Sequence, residues 1–192
     1  MITVPIPHWN AQGVIPPVDV ASPISAHRSP YVVTLNDLVM RFGVTDERRR
    51  ILDGLLRYRA ALHELGVARG FQWLDGSFLE YVEMLDARPP NDMDVVTFFH
   101  IPAGETQASL VNRARVLFDP KLLKKEYQVD GYVVCLGGRS ENLVERSAYW
   151  YSVWSHRRNQ MWKGYVQIDL SPSEDSTTVK LLSTLNTAGG QP

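Results

Sequence analysis

Leu74-Asp75-Gly76-Ser77 is followed, after a short interval, by Asn91-Asp92-Met93-Asp94-Val95-Val96. A Gly-Ser pair where an apolar run stops marks a strand-to-helix turn, and the second segment resumes as an apolar strand. Side chains two residues apart in a strand share a face, so Asp92 and Asp94 point the same way while Met93, Val95 and Val96 hold the strand in a core. Two carboxylates on one face repel each other and lose hydration unless a cation neutralises them. Mg²⁺, or Mn²⁺ in its place, is the natural candidate, because it takes hard oxygen ligands from carboxylates and from substrate phosphates. The bland alternative assigns Asn91-Asp92 to a turn after Pro89-Pro90 and leaves Asp94 alone at a strand edge.

Working outward, Phe71 to Leu74 reads as a short aromatic strand, Ser77 to Leu85 as a helix, and Met93 to Phe99 as the acidic strand. Glu105 to Phe118 reads as a long helix, Val129 to Leu136 as a strand, Glu141 to about Arg158 as a helix, and Gly164 to Leu170 as a last strand. Before them, Ile51, Leu52, Leu55, Leu56, Leu62 and Leu65 recur at helical spacing from Asp46 to Leu65, with Gly66 as the stop. Strands alternating with helices define an α/β (α+β) class with a small mixed sheet flanked by helices. Residues 1–30 are proline-rich and aperiodic, an extended arm lying over the body rather than forming its core. Residues 31–171 form one domain, and residues 172–192 a polar tail, mobile at its end.

Composition narrows the function. The chain has 192 residues, 44% of them hydrophobic, enough for one sizeable core. Lys plus Arg (20) nearly balances Asp plus Glu (21), so the chain has no basic field to make nucleic acid its default partner. A single cysteine, Cys135, in an apolar run fits a reducing, cytoplasmic setting. No run approaches the ~18 apolar residues of a membrane span, so no membrane partner is expected.

The Leu74, Gly76-Ser77, Asp92-Met93-Asp94-Val95 series resembles the signature of the nucleotidyltransferase superfamily that includes DNA polymerase β: an apolar residue, Gly, Gly or Ser, a spacer, then Asp-apolar-Asp. This sequence departs from it by an inserted Asp75 and a long spacer. It looks most like the small stand-alone prokaryotic members, some of which belong to toxin–antitoxin or phage-defence gene pairs. The resemblance implies a polymerase β-like fold and transfer of NMP from an NTP to a protein, RNA (for example tRNA) or small-molecule hydroxyl, with release of pyrophosphate. Asp92 and Asp94 would hold metal, and a third carboxylate on a neighbouring strand would complete the site. Asp130 is the candidate, opening the Val129 to Leu136 run, with a strand-start turn as its alternative; Asp119, before Pro120, ranks below it as a loop residue. The alternative function is a catalytically weak or inactive protein of the same fold, an antitoxin-like or defence-system partner of a paired gene product.

Other residues complete the candidate site. Gly76 and Ser77 would receive a phosphate at a helix start, the alternative being a turn with a serine cap. Asp75 is an auxiliary acid or a turn cap. Arg157 and Lys163, with Arg158 between them, would meet a triphosphate, or answer a helix dipole, and Arg88 is a lesser candidate. Tyr149, Trp150, Tyr151 and Trp154 would stack a base or simply pack. His100 and His156 lack partners at zinc spacing, and the sequence contains no Walker loop, nucleophile elbow or dinucleotide fingerprint.

Overall fold

The computed structural model describes residues 3–188. The strands are β1 (Tyr31–Val32), β2 (Gly70–Asp75), β3 (Met93–His100), β4 (Val129–Leu136) and β5 (Val166–Asp169). They form one mixed sheet in the order β1-β5-β2-β3-β4. β2 runs antiparallel to β3, with Leu74 opposite Val95 and Asp75 opposite Asp94. β3 runs parallel to β4, with Asp94 opposite Asp130. The helices are α1 (Leu35–Phe42), α2 (Asp46–Glu64), α3 (Val82–Leu85), α4 (Gln107–Arg113), α5 (Pro120–Tyr127), α6 (Ser140–Trp154) and α7 (Asp175–Ala188). The protein is thus α+β with a five-stranded mixed sheet.

Register divides the sheet into two faces. Gln72, Leu74, Val95, Thr97, Val166 and Ile168 share one, beneath α2. There Tyr58 of α2 meets Thr97 at 3.3 Å, and Arg59 donates to Gln72 at 2.8 Å. Arg59 is 1% exposed and also grips Asp175 of α7, at 2.7 and 3.0 Å, and the carbonyl of Ser171. Phe71, Trp73, Asp75, Asp94, Val96, Phe98, Asp130 and Tyr132 share the other face. Its aromatic middle is closed by Trp73 against Phe98 and Tyr165, and by Trp154 of α6 against Tyr165. The acids Asp75, Asp94 and Asp130 lie together at one end of this face, aligned across β2, β3 and β4.

Several sequence expectations are corrected. Ser77 to Leu85 is no single helix: a 3-10 turn at Ser77–Leu79 precedes the four-residue α3. Fully buried Arg48 holds this segment, donating to the carbonyls of Phe78 and Glu80 and to the Glu83 carboxylate. Glu105 to Phe118 breaks after Arg113 into a 3-10 turn. Asp119 is the N-cap of α5, accepting from the backbone of Lys121 and Leu122, with Pro120 in the first turn where its missing N–H costs nothing. The arm does reach the core: Ile15 is 1% exposed, and its carbonyl receives the Gly164 N–H. The tail after Ser171 contains α7, whose Thr178 and Leu182 are buried; the expectation of mobility at its end falls on residues 189–192, outside the described part.

Gly54 of α2 shows how closely the helices approach. A Cβ there would stand 1.9 Å from the Tyr127 carbonyl oxygen at the end of α5. Alanine in a helix interior ordinarily stabilises by about 1 kcal/mol over glycine. Here Gly54→Ala is expected to reverse that sign and destabilise by about 1–3 kcal/mol through overpacking against backbone. Urea unfolding measures it, and a gain in stability would refute the close approach.

Candidate metal centre

Three local features deliver the acids. Asp92 precedes β3, and Asp94 is its second residue. Gln128 takes a left-handed conformation (φ 54°) at the end of α5, and its carbonyl receives the Met93 N–H at 3.1 Å, which starts β4 alongside β3. Asp130 therefore falls directly opposite Asp94. One carboxylate oxygen from each of Asp92, Asp94 and Asp130 lies within 4.8 Å of the others. Gly76 closes the group from β2: its φ is +86°, and a Cβ there would stand 2.6 Å from Asp94 Oδ2. The glycine is required twice, by its backbone conformation and by the carboxylate beside it.

The electrostatics follow from this crowding. Burial, then the neighbouring charges of Asp92 and Asp130, push the Asp94 carboxyl up to about 6, against the pull of Lys163 and Lys124. The Lys124 ammonium of α5 contacts Asp92 Oδ2 and lies 3.5 Å from Asp130 Oδ2. Its hydrogen bond to Asp92, more than the charges around it, raises it above the ordinary lysine range. Tyr132, two residues beyond Asp130 on the same face, packs its ring on Trp150 at 4.8 Å. Its hydroxyl is raised by burial and then by Asp130.

A second charged group lies behind the first. Lys163 donates to Asp75 Oδ1 at 2.8 Å and stands 3.1 Å from Glu80 Oε1, while Arg157 Nε stands 3.1 Å from Glu80 Oε2. Lys163, Asp75 and Glu80 are all buried, at 5%, 2% and 6% exposure. Burial raises the Asp75 carboxyl and Lys163 draws it back. Burial would lower Lys163, but Asp75 and Glu80 hold it above its usual value.

The sequence-identified residues therefore separate. Asp92, Asp94 and Asp130 converge, with Gly76 against them. Ser77 follows at once, its hydroxyl without a hydrogen-bond partner among the described residues, but the 3-10 turn it opens is three residues long and carries no helix dipole. Lys163 is enclosed by Asp75 and Glu80 rather than open to a triphosphate, so its expected role is corrected. Arg157 commits its Nε to Glu80. Asp75 is neither a turn cap nor a member of the cluster of three; it is the buried partner of Lys163. Arg88 is exposed and pairs with Asp86 at 3.2 Å. Trp150 and Trp154 pack inward, whereas Tyr149 and Tyr151 are exposed. Sequence reasoning missed Lys124 and Glu80, whose only prior signal was charge beside an acidic segment.

The residues present fit a hard divalent cation. Every ligand of the group is a carboxylate, and Asp92 Oδ2 is shut off from solvent with no hydrogen-bond partner among the described residues beyond the close approach of the Lys124 ammonium. Such oxygens suit Mg²⁺ or Mn²⁺ rather than zinc or copper.

Fold and site together define an α+β protein with an acidic cluster at one end of a mixed sheet. The chain belongs to a family of unknown function, DUF6932, whose model matches residues 7–169. That span contains all five strands and every acid of the cluster. No curated protein and no solved structure matches the chain.

Proposed function

We propose that this protein is a cytoplasmic, Mg²⁺- or Mn²⁺-dependent nucleotidyltransferase that moves NMP from an NTP to a hydroxyl of a protein, RNA or small molecule. The observation that carries the reading is the convergence of Asp94 and Asp130, on two paired strands, and Asp92, just before the first of them, with Gly76 packed against the Asp94 carboxylate. It joins both halves of the sequence signature, the Gly-Ser turn and the Asp-x-Asp strand, in one place. Among the described residues no helix is long and apolar enough to cross a membrane, which is compatible with the cytoplasmic assignment.

In this reading Asp92, Asp94 and Asp130 hold the metal, which when bound neutralises phosphate charge and favours the ionised acceptor. Gly76 leaves the backbone beside Asp94 bare, so a phosphate can approach, and the Ser77 hydroxyl is available as a donor. The acceptor oxygen forms a bond to the α-phosphorus and the α–β bridging bond breaks. Pyrophosphate leaves with that electron pair, and the hydroxyl proton passes to solvent. The test incubates the protein with Mg²⁺ or Mn²⁺ and each α-labelled NTP, with cell lysate as acceptor source, beside the Asp92→Ala, Asp94→Ala double variant. Label transferred by the wild type alone is expected; equal transfer by the folded double variant would overturn the proposal.

A second reading, favoured by the internal pairing of Lys163, Arg157 and Lys124 with carboxylates, is a protein of the same fold that acts by contact with a paired gene product, without turnover. Nucleotide binding without label transfer, together with a stable hetero-complex, would select it.

A further inference from the structure

Lys124 occupies a position that a bound cation would need. It projects from α5 toward Asp92 and Asp130, whereas Lys121 and Lys125 of the same helix make no ion pair with the cluster. The helix that presents it is fixed. Leu123 is fully buried, and its methyl fills the space over Gly131, where a Cβ would stand 2.2 Å from Leu123 Cδ2. The Lys124 side chain itself is half exposed, at 51%, against 14% for Asp92 and 26% for Asp130. The anions are therefore set into the sheet edge, and their counter-charge rides on a flexible, solvated stem. Without a cation, three carboxylates at this spacing repel, and the ammonium offsets that repulsion. With a divalent cation on the same oxygens, the ammonium becomes a like charge at contact distance.

We propose that Lys124 is the built-in counter-ion of the acidic cluster, released from Asp92 and Asp130 when a divalent cation binds. This deepens the metal-site reading above and rests on it. The lysine holds the cluster together in the metal-free protein and sets a threshold that the cation must exceed, so weakly held cations are rejected. A lysine that instead stayed in place beside the metal would help bind it, and its removal would weaken affinity.

The experiment is Mn²⁺ binding, followed by calorimetry and by the loss of the free-ion electron paramagnetic resonance signal, on wild type, Lys124→Met, Lys124→Arg and Asp94→Asn. Lys124→Met keeps the stem and removes the charge, and is expected to bind Mn²⁺ about 5- to 10-fold more tightly at low salt, an effect kept modest by solvent exposure. Lys124→Arg is expected to stay near wild type. In chelator, Lys124→Met is expected to melt a few degrees below wild type, and Mn²⁺ to shift its Tm upward by more than it shifts wild type. Unchanged or weaker binding by folded Lys124→Met, with binding lost in Asp94→Asn, would overturn the Lys124 proposal and leave the metal site standing. Binding that neither Lys124→Met nor Asp94→Asn alters would overturn both.

Discussion

Asp94→Asn is expected to make the metal-free protein more stable while it removes the transferase activity. Asp94 is largely enclosed, with carboxylate oxygens of Asp92 and Asp130 within 4.8 Å of its own, and its carboxyl is pushed from 3.8 to about 6. A carboxyl raised on folding binds its proton more tightly in the native state, so the native state loses stability as pH climbs from about 4 through about 6. The displacement corresponds to about 3 kcal/mol, fully expressed above pH ~7. Asparagine removes that cost. In chelator, urea unfolding should show the variant ahead of wild type by up to about 3 kcal/mol at pH 8, with the gap closing near pH 4. Label transfer should fall about a thousandfold, or about 4 kcal/mol of transition-state stabilisation, as expected when a metal ligand is lost. A variant less stable than wild type at pH 8 would show that Asp94 serves the fold rather than the site.

Lys163→Met should act in the opposite direction. Asp75 and Glu80 are both buried and both depend on the Lys163 ammonium, at 2.8 and 3.1 Å. Removing one member of a buried ion group leaves the remaining charge uncompensated and typically costs 3–5 kcal/mol. For a chain of this size that is a fall in Tm of about 10 °C. The ion pair contributes only while Asp75 is ionised, so the deficit should be largest near pH 8 and shrink toward pH 5 as that carboxyl takes up a proton. Thermal melts of both proteins across that range check the size and the sign. A deficit independent of pH would mean that Lys163 matters for its packing alone.

How much of this was legible depends on how local each cause was. β3 and β4 could be read because Met93 to Phe99 and Val129 to Leu136 are mostly apolar runs rich in β-branched and aromatic residues, and Asp94 because a carboxylate inside such a run needs a counter-charge. Asp130 was reachable as the acid opening the next run, although its position opposite Asp94 depends on the left-handed Gln128, which nothing in the sequence announces. The partners of the acids were hidden. Lys163 is 88 residues from Asp75 in the chain, and that pairing exists only because β5 returns beside β2. α7 escaped notice because its buried side includes Thr178, a polar residue whose hydroxyl is satisfied by Asn36 and the Glu174 carbonyl. Proline and serine at its start mimic a loop. The break after Arg113 was missed for the converse reason: apolar spacing continued through it.

Arg59 bonds to Gln72 on one side and to Ser171 and Asp175 on the other. The family match ends at residue 169, yet this arginine reaches past it to the Ser171 carbonyl and the Asp175 carboxylate. The stretch by which this chain is recognised is thus shorter than the stretch that completes its electrostatics. The matched span holds the whole sheet, whereas a counter-charge for the guanidinium on its underside is supplied from a helix beyond that boundary. Residues 7–169 of this chain taken alone would hold the Arg59 guanidinium in the core without the Asp175 carboxylate that answers it.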